Sequence, residues 1–172
     1  MKLKYIILAF TIITTGNVFI CQAQNYQPLD KLQGIYKYSF PNALINNTQY
    51  TSENHFMLMR TSPDTAYFET HLEWANGHQC DLSGIAKVKS PRVLTYTTSS
   101  IMEKICTFNI NLEKDKFIFH DSNGACRLIS CGSRGMLDDV EFKYNTQRKI
   151  SPEIVKKSAD FKRAISEYKR SN

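Results

Sequence analysis

The sequence predicts an all-β, mainly antiparallel domain of about eight strands, forming a meander barrel or a sandwich and followed by a C-terminal amphipathic α-helix. Short segments that alternate apolar and polar residues predict the strands, because every second side chain of a strand faces the same side. Glycine, proline and asparagine separate these segments at short intervals, which is typical of antiparallel sandwiches and barrels. Ser151-Pro152-Glu153 supplies the N-cap, the first-turn proline and the early acidic residue that begin a helix.

Three strands are predicted in the first part of the chain: 34–40, 55–60 and 65–74. The polar residues 44–54 between the first two predict a loop. Asn76-Gly77 follows the third strand and is a strong hairpin signal, so residues 80–89 are expected to pair back along it. Four more alternating segments complete the sheet: 93–98, 106–112, 116–120 and 138–144.

Residues 1–23 are predicted to be a secretory signal peptide. Lys2 and Lys4 begin it, an apolar run fills positions 5–20, and small residues precede a cleavage site after Ala23. Threonine, glycine and asparagine dilute the apolar run, so it does not have the composition of a membrane span. No later run suggests a transmembrane segment, and the mature protein is expected in the periplasm or outside the cell.

Cleavage leaves two regions of different charge. Residues 24–146, the predicted disulfide-stabilised β domain, carry 12 basic and 13 acidic side chains. Residues 147–172, predicted as a basic helix packed on or beside that domain, carry 8 basic and 3 acidic side chains. The β domain lacks the positive footprint of nucleic-acid-binding proteins, so no nucleic-acid partner is expected.

The C-terminal helix, predicted over 152–169, has a narrow apolar stripe. Its members recur at steps of seven, four and three residues: Ile154, Phe161, Ile165 and Tyr168. The stripe predicts packing against the sheet. The lysines and arginines around it leave a second interpretation open, in which the helix contacts an anionic surface such as membrane headgroups.

Four cysteines remain after cleavage: Cys80, Cys106, Cys126 and Cys131. An even number in an exported chain predicts disulfide bonds, and the sequence leaves all three connectivities open. The spacing matches no paired C-x-x-C zinc scheme. Sequential hairpins place Cys80, Cys106 and the loop 126–131 at one end of the sheet. The bonds are therefore expected to pin the loops there, each contributing about 2–4 kcal/mol.

The candidate partner-binding residues are His71, Glu73, His78 and Arg134. His71 and Glu73 share a strand face, as two metal ligands would, but His78 lies across the turn and Cys80 is expected to be oxidised. No metal site is therefore predicted. Arg134 lies between Gly132 and Gly135, which favour either a tight turn or a rigid presentation of the arginine to an anionic group.

Catalytic and cofactor motifs are not found in the sequence. It contains no G-x-S-x-G, P-loop, Rossmann fingerprint or calcium loop. The adjacent carboxylates Asp138-Asp139 are typical of a solvated turn. We therefore expect no catalytic residue and no cofactor.

Several segments together resemble a family of uncharacterised bacterial exported proteins. Residues 66–80 and 84–86 resemble its central signature, and Cys106, Cys126 and residues 131–135 resemble its later cysteine block. The resemblance implies export, disulfides and a β-rich domain. It implies no activity, so no catalytic residue is transferred from it.

These observations favour a non-enzymatic binding protein of the cell envelope, acting as an inhibitor or chaperone of another exported protein through loops at the cysteine end. The alternative is a barrel that binds a small ligand, a lipid or metabolite, among inward aromatic residues: Tyr36, Tyr38, Phe68, Trp74 and Phe108. A metal-dependent enzyme using His71 and Glu73 is the third hypothesis.

Overall fold

The alternating segments form nine antiparallel strands in the computed structural model, which describes residues 29–98, 105–131 and 134–171. The strands are β1 (Gly34–Ala43), β2 (Gln49–Arg60), β3 (Thr65–Trp74), β4 (His78–Ser90), β5 (Val93–Thr97), β6 (Thr107–Leu112), β7 (Lys116–His120), β8 (Glu141–Lys143) and β9 (Gln147–Arg148). The helices are α1 (Ala125–Ser130), α2 (Pro152–Lys157) and α3 (Ala159–Arg170). The predicted signal peptide lies outside the described residues.

Each strand from β1 to β8 pairs with the next, and β9 returns to pair with β1. A 3-10 turn, Tyr144–Thr146, carries the chain from β8 to β9. Ile35 and Tyr36 of β1 pair with Arg148 and Gln147. The sheet is thus a nearly closed barrel, which confirms the predicted fold class and favours its barrel form over a sandwich. The predicted boundary at residue 147 falls at this last strand.

The loop predicted over 44–54 is wrong in its second half, because β2 begins inside this range. Two polar residues of this half, Ser52 and Asn54, are buried but hydrogen-bonded. Asn42 Nδ2 donates to Ser52 Oγ at 2.9 Å, and Asn54 Nδ2 donates to Tyr38 Oη at 2.8 Å. Satisfied polar groups are tolerated inside a sheet, so polarity alone did not mark a loop here.

The predicted hairpin between β3 and β4 is confirmed. Trp74 pairs with His78 across a three-residue turn, Ala75–Gly77. Asn76 and Gly77 have φ angles of 61° and 72°, the left-handed region that asparagine and glycine tolerate best.

Aromatic side chains fill the interior of the barrel. The fully buried rings on this side of the sheet are those of Tyr36, Phe56, Phe68, Phe108, Phe117, Phe119 and Phe142. Phe56 makes edge contacts with Phe117 and Phe119, with both pairs of ring centroids 5.0 Å apart. Such pairs contribute about 0.5–1.5 kcal/mol beyond the burial of their area. Around these rings the interior of the barrel is filled by the protein's own side chains.

The single C-terminal helix predicted over 152–169 is two helices. Ser158 is extended between them and caps α3, because its hydroxyl accepts a hydrogen bond from the Phe161 amide at 3.1 Å. The break rotates α2 relative to the predicted stripe. Ile154 is 72% exposed and Val155 is buried in its place.

Both helices contribute to a cluster on the outer face of the barrel. Val155 and Ala164 are buried against Met59, Tyr67 and Ile85. The C-terminal region therefore packs against the sheet, which was the first of the two interpretations of its apolar stripe. None of the helices in the described ranges is both long enough and apolar enough to cross a bilayer.

Candidate functional site

The two disulfides join Cys80 to Cys131 and Cys106 to Cys126. Cys80 lies near the start of β4 and Cys106 immediately precedes β6, so both bonds lie at the end of the barrel where β3 turns into β4. We call this end the disulfide pole. The prediction that the cysteines share one end of the sheet is confirmed, and of the three possible connectivities this one is present.

The barrel wall is interrupted at the disulfide pole between β4 and β5. Pairing of β4 with β5 is limited to Lys87, Val88 and Ser90, which leaves the first part of β4 without a β5 neighbour among the described residues. Helix α1 contacts both β4 and β6 and lies across this gap. Cys126 and Cys131, at its two ends, bind it to both sides.

Helix α1 corrects the prediction of a loop over 126–131. Its N-terminus is held by the buried carboxylate of Asp121, which accepts hydrogen bonds from the amides of Cys126 at 3.2 Å and Arg127 at 2.7 Å. A carboxylate at a helix N-terminus satisfies amides that have no partner within the helix. The position of Asp121 before the helix was the signal in the sequence.

A second interruption, between β1 and β8, is not closed by any of the described elements. The strand β1 pairs with β9 only at Ile35 and Tyr36, and β8 pairs only with β7 among the described strands. We call this interruption the seam. At the disulfide pole the seam widens into a groove with a volume of about 580 Å³, which we call the seam groove.

The seam groove has an apolar floor and a charged rim. The floor is formed by Tyr38, Trp74, Met136 and Val140, and the rim carries Asp138, Asp139, Glu141 and Lys143. Tyr38 and Met136 are 38% and 48% exposed, which is high for large hydrophobic side chains. A concave apolar surface with a few convergent polar groups is the usual form of a ligand or peptide site.

Packing around the first disulfide shapes the groove. A Cβ atom on Gly135 would lie 2.3 Å from Cys80 Sγ and 3.2 Å from Trp74 Cδ1, so only glycine lets the loop approach this closely. The loop that carries Met136 is therefore held against the disulfide and the indole.

Trp74 and His78 carry buried polar atoms without hydrogen-bond partners. Trp74 Nε1 and His78 Nε2 have none among the described residues, and the two residues form the last cross-strand pair of β3 and β4. An unsatisfied buried polar group costs about 1–3 kcal/mol. Departures of this kind from optimal packing concentrate at functional sites, which supports a role for this end of the barrel.

The candidate residues His71 and Glu73 share the outer face of β3, as predicted. His71 Nδ1 lies 2.6 Å from Asp81 Oδ1, and Nε2 lies 3.7 Å from Glu73 Oε1. The ring of His71 also stacks on His55, with centroids 5.3 Å apart. Burial lowers the pKa of His55, and the nearby charge of His71 lowers it further.

The other two candidates lie at the disulfide pole. His78 pairs with Trp74 and so projects to the opposite side of the sheet from His71. The loop after Cys131 carries Arg134, which is exposed. The structure therefore does not bring the four candidate residues together in one site.

His120, Asp138 and Asp139 form the one cluster of possible metal ligands among the described residues, and sequence reasoning did not connect them. Their ligand atoms lie within 4.8 Å of one another, with His120 Nδ1 3.5 Å from Asp138 Oδ1. That oxygen also accepts a hydrogen bond from the Asp121 amide at 3.0 Å. A bound cation would require these groups to approach further, to about 2.0–2.2 Å from the metal. As placed, the cluster is a set of polar contacts beside the rim of the groove, where Asp138 and Asp139 lie.

The aromatic residues predicted to line a ligand cavity lie in two different parts of the barrel. Tyr36, Phe68 and Phe108 are fully buried in the core. Tyr38 and Trp74 line the seam groove. The remaining groove residues were not identified from the sequence, because they come together only through the closure of the barrel.

No protein-family model, curated protein or solved structure matches this chain. The resemblance to a family of exported bacterial proteins therefore stays a prediction.

Proposed function

We propose that this chain is an exported, non-enzymatic binding protein of the cell envelope, periplasmic or secreted, that holds its partner in the seam groove. The observation that carries the proposal is the groove itself, an apolar concavity with a charged rim at the open seam of an otherwise packed barrel. The cationic and apolar N-terminal residues and the two disulfides support export.

Rigidity of the groove walls supports binding rather than a passive defect in the barrel. Trp74 ends a ten-residue strand that is paired on both sides. The loop bearing Met136 is held on the Cys80–Cys131 disulfide through Gly135. A preformed site loses little conformational entropy when a partner binds.

The favoured partner is another exported protein, which the chain would inhibit or chaperone. The groove opens along the seam, so a segment of polypeptide can pass through it without entering the packed interior. A lipid or metabolite is the alternative occupant, because the groove volume falls within the range of about 300–1,000 Å³ typical of small-molecule sites.

Photo-crosslinking in the producing cell tests this proposal. Benzoylphenylalanine placed at Met136 should give one dominant protein adduct, identified by mass spectrometry. The same group at Ile154, which is 72% exposed on α2, is the matched control and should not give that adduct. Identical adducts from both positions, or none from a folded and exported protein, would contradict a protein partner in the groove.

Native mass spectrometry of the purified protein tests the alternative occupant. A co-purifying small molecule that is lost from the W74A variant would support a lipid or metabolite in the seam groove. Retention of that molecule by W74A would place it elsewhere. A bare protein, together with an adduct specific to Met136, would leave the protein partner as the occupant.

A further inference from the structure

We propose that the partner enters the seam groove as an extended segment and adds a strand to the free edge of β1. This inference rests on the proposed function and specifies how the groove would be used. The direction of the backbone groups along both sides of the seam supports it.

The odd-numbered residues of β1 direct their backbone groups into the seam. The Leu44 amide donates to the Thr48 carbonyl at 2.9 Å, in the same register that pairs Gly34 with Leu58. Hydrogen-bonded pairs alternate in an antiparallel ladder, so even-numbered residues of β1 bond to β2. The amides and carbonyls of Lys37 and Ser39 therefore face away from β2, and neither residue pairs with β9.

Pro41 agrees with this assignment. It lies within β1 at an odd position and pairs in register with Thr51. Proline has no amide hydrogen, so it is tolerated where its nitrogen faces an unpaired edge. The next odd amide, that of Ala43, is already satisfied by Asn42 Oδ1 at 2.8 Å. Among the described residues, the amides of this edge without a hydrogen-bond partner are thus limited to a short stretch around Lys37 and Ser39.

The opposite side of the seam has the same arrangement. The Tyr144 amide donates to the Asp115 carbonyl at 2.8 Å, and the Phe119 amide donates to the Val140 carbonyl at 3.0 Å. Even-numbered residues of β8 therefore bond to β7, and Glu141 directs its backbone groups toward the seam. A strand added to β1 at the wide end of the seam would thus have the backbone groups of Glu141 across the groove from it.

The groove also specifies the side chains of the added strand. Alternate side chains would face the apolar floor at Tyr38 and Trp74. The rim carries three carboxylates and one lysine, and Lys116 already pairs with the Glu141 carboxylate at 2.7 Å. Charge complementarity therefore favours a basic residue opposite Asp138 and Asp139. The inferred occupant is an extended, alternating apolar–polar segment with at least one lysine or arginine.

The decisive variants are S39P and S39A. Ser39 is exposed, and its amide faces the seam, so proline removes one donor from the edge without breaking the β1–β2 ladder. Alanine keeps that donor and is the matched control. The probe is a linear peptide selected from a random display library on the full mature chain, and its binding is measured through the fluorescence of Trp74, the chain's only tryptophan.

Strand addition predicts that S39P weakens binding of the selected peptide by about tenfold, which corresponds to about 1.4 kcal/mol for one lost backbone hydrogen bond, and that S39A changes binding little. Urea unfolding of both variants checks that the barrel is intact. Should S39P fail to fold, N-methylation of the peptide gives an independent test on the unaltered protein. Methyl groups on alternate amides should abolish binding, and methyl groups on the intervening amides should not.

The outcomes separate this inference from the proposed function. A selected peptide that quenches Trp74 but tolerates S39P and every N-methyl group would overturn strand addition and leave groove binding in place. A library that yields no peptide quenching Trp74 would also overturn the extended occupant. If the Met136 crosslink were absent as well, the proposed function would fail with it.

Discussion

Across the described strands the barrel wall is interrupted twice, and the two interruptions differ in what covers them. The gap between β4 and β5 is covered by α1, which two disulfides tie to both sides. In the part of the chain that the structure describes, the seam between β1 and β8 has no such cover and ends in an exposed apolar groove. The fold thus closes one interruption covalently and leaves the other accessible. The contrast favours the seam as the place where a partner binds.

The sealed gap contains one very close contact, between Gly84 and Tyr96. A Cβ atom on Gly84 of β4 would lie 2.3 Å from the ring of Tyr96, so the absence of a side chain lets the tyrosine close over the strand. Burial raises the pKa of Tyr96 to about 12, and the nearby Glu167 carboxylate adds to the shift. Tyr38 at the seam is also shifted upward in pKa by burial, but it remains 38% exposed.

Removal of the disulfides should have the largest effect. C80S together with C131S opens a loop spanning 51 positions and should lower the free energy of unfolding by about 4 kcal/mol. C106S together with C126S opens one of 20 positions and should cost about 3 kcal/mol. Urea denaturation under non-reducing conditions measures both values.

The same two variants sharpen the contrast between gap and seam. Gly135 packs on Cys80, so loss of the first disulfide should increase quenching of Trp74 by acrylamide. Loss of the second bond should leave quenching nearly unchanged. Equal increases in both variants would show that the groove is not held specifically by the Cys80–Cys131 bond.

Adding a methyl group at Gly84, in the sealed gap, should have an intermediate effect on stability. G84A forces the Tyr96 ring to move and should lower the free energy of unfolding by about 2 kcal/mol, within the range for overpacked sites. In a Y96A background the same substitution should cost much less, because the clash is gone. A double-mutant cycle from urea unfolding gives the coupling, and a coupling near zero would contradict the packing described here.

A smaller effect on stability is expected from pH. It arises at His55, in the continuous wall of β1–β4 that separates the two interruptions. The pKa of His55 is lowered below its ordinary value of 6.5, chiefly by burial and then by His71 and Lys37, while Glu69 and Glu53 oppose the shift. The unfolded chain then binds more protons than the folded one, so the contribution of His55 is present above pH 6.5 and is lost as the pH falls through its folded pKa.

H55Q should therefore reduce the loss of stability between about pH 7.5 and about pH 5, as measured by urea midpoints. Acrylamide quenching of Trp74 in H55Q should match that of the unaltered protein, because His55 faces outward from the wall. An unchanged pH dependence would show that His55 is not a source of it.

The parts of the fold that follow from local pattern were predictable, and the seam groove was not. Alternation identified most strands, and Asn76-Gly77 identified the central hairpin. Ser158 interrupts the apolar stripe of the C-terminal region, a break that periodicity alone does not reveal. The seam depends on β8 and β9, which are three and two residues long. No local sequence pattern specifies which part of β1 such short strands leave unpaired.

For the candidate residues, too, only local contacts were predictable from the sequence. Shared strand faces are local, so His71 and Glu73 were placed together correctly. Contacts between distant segments are not local, and Met136 therefore reaches the groove with Tyr38 without any signal in the sequence. His120 meets Asp138 because β7 leads into the loop before β8, and this again depends on tertiary packing.

The nested arrangement of the disulfides restricts the order in which an exported chain can mature. Cys106–Cys126 lies inside the loop closed by Cys80–Cys131. On the proposed route, a chain emerging from the translocation channel N-terminus first presents Cys80 and Cys106 to oxidants before either native partner has appeared. Oxidation at that moment would join two cysteines that the folded protein keeps apart. Cys80 must therefore stay reduced until residue 131 has crossed the membrane, or thiol–disulfide exchange must later correct the bond.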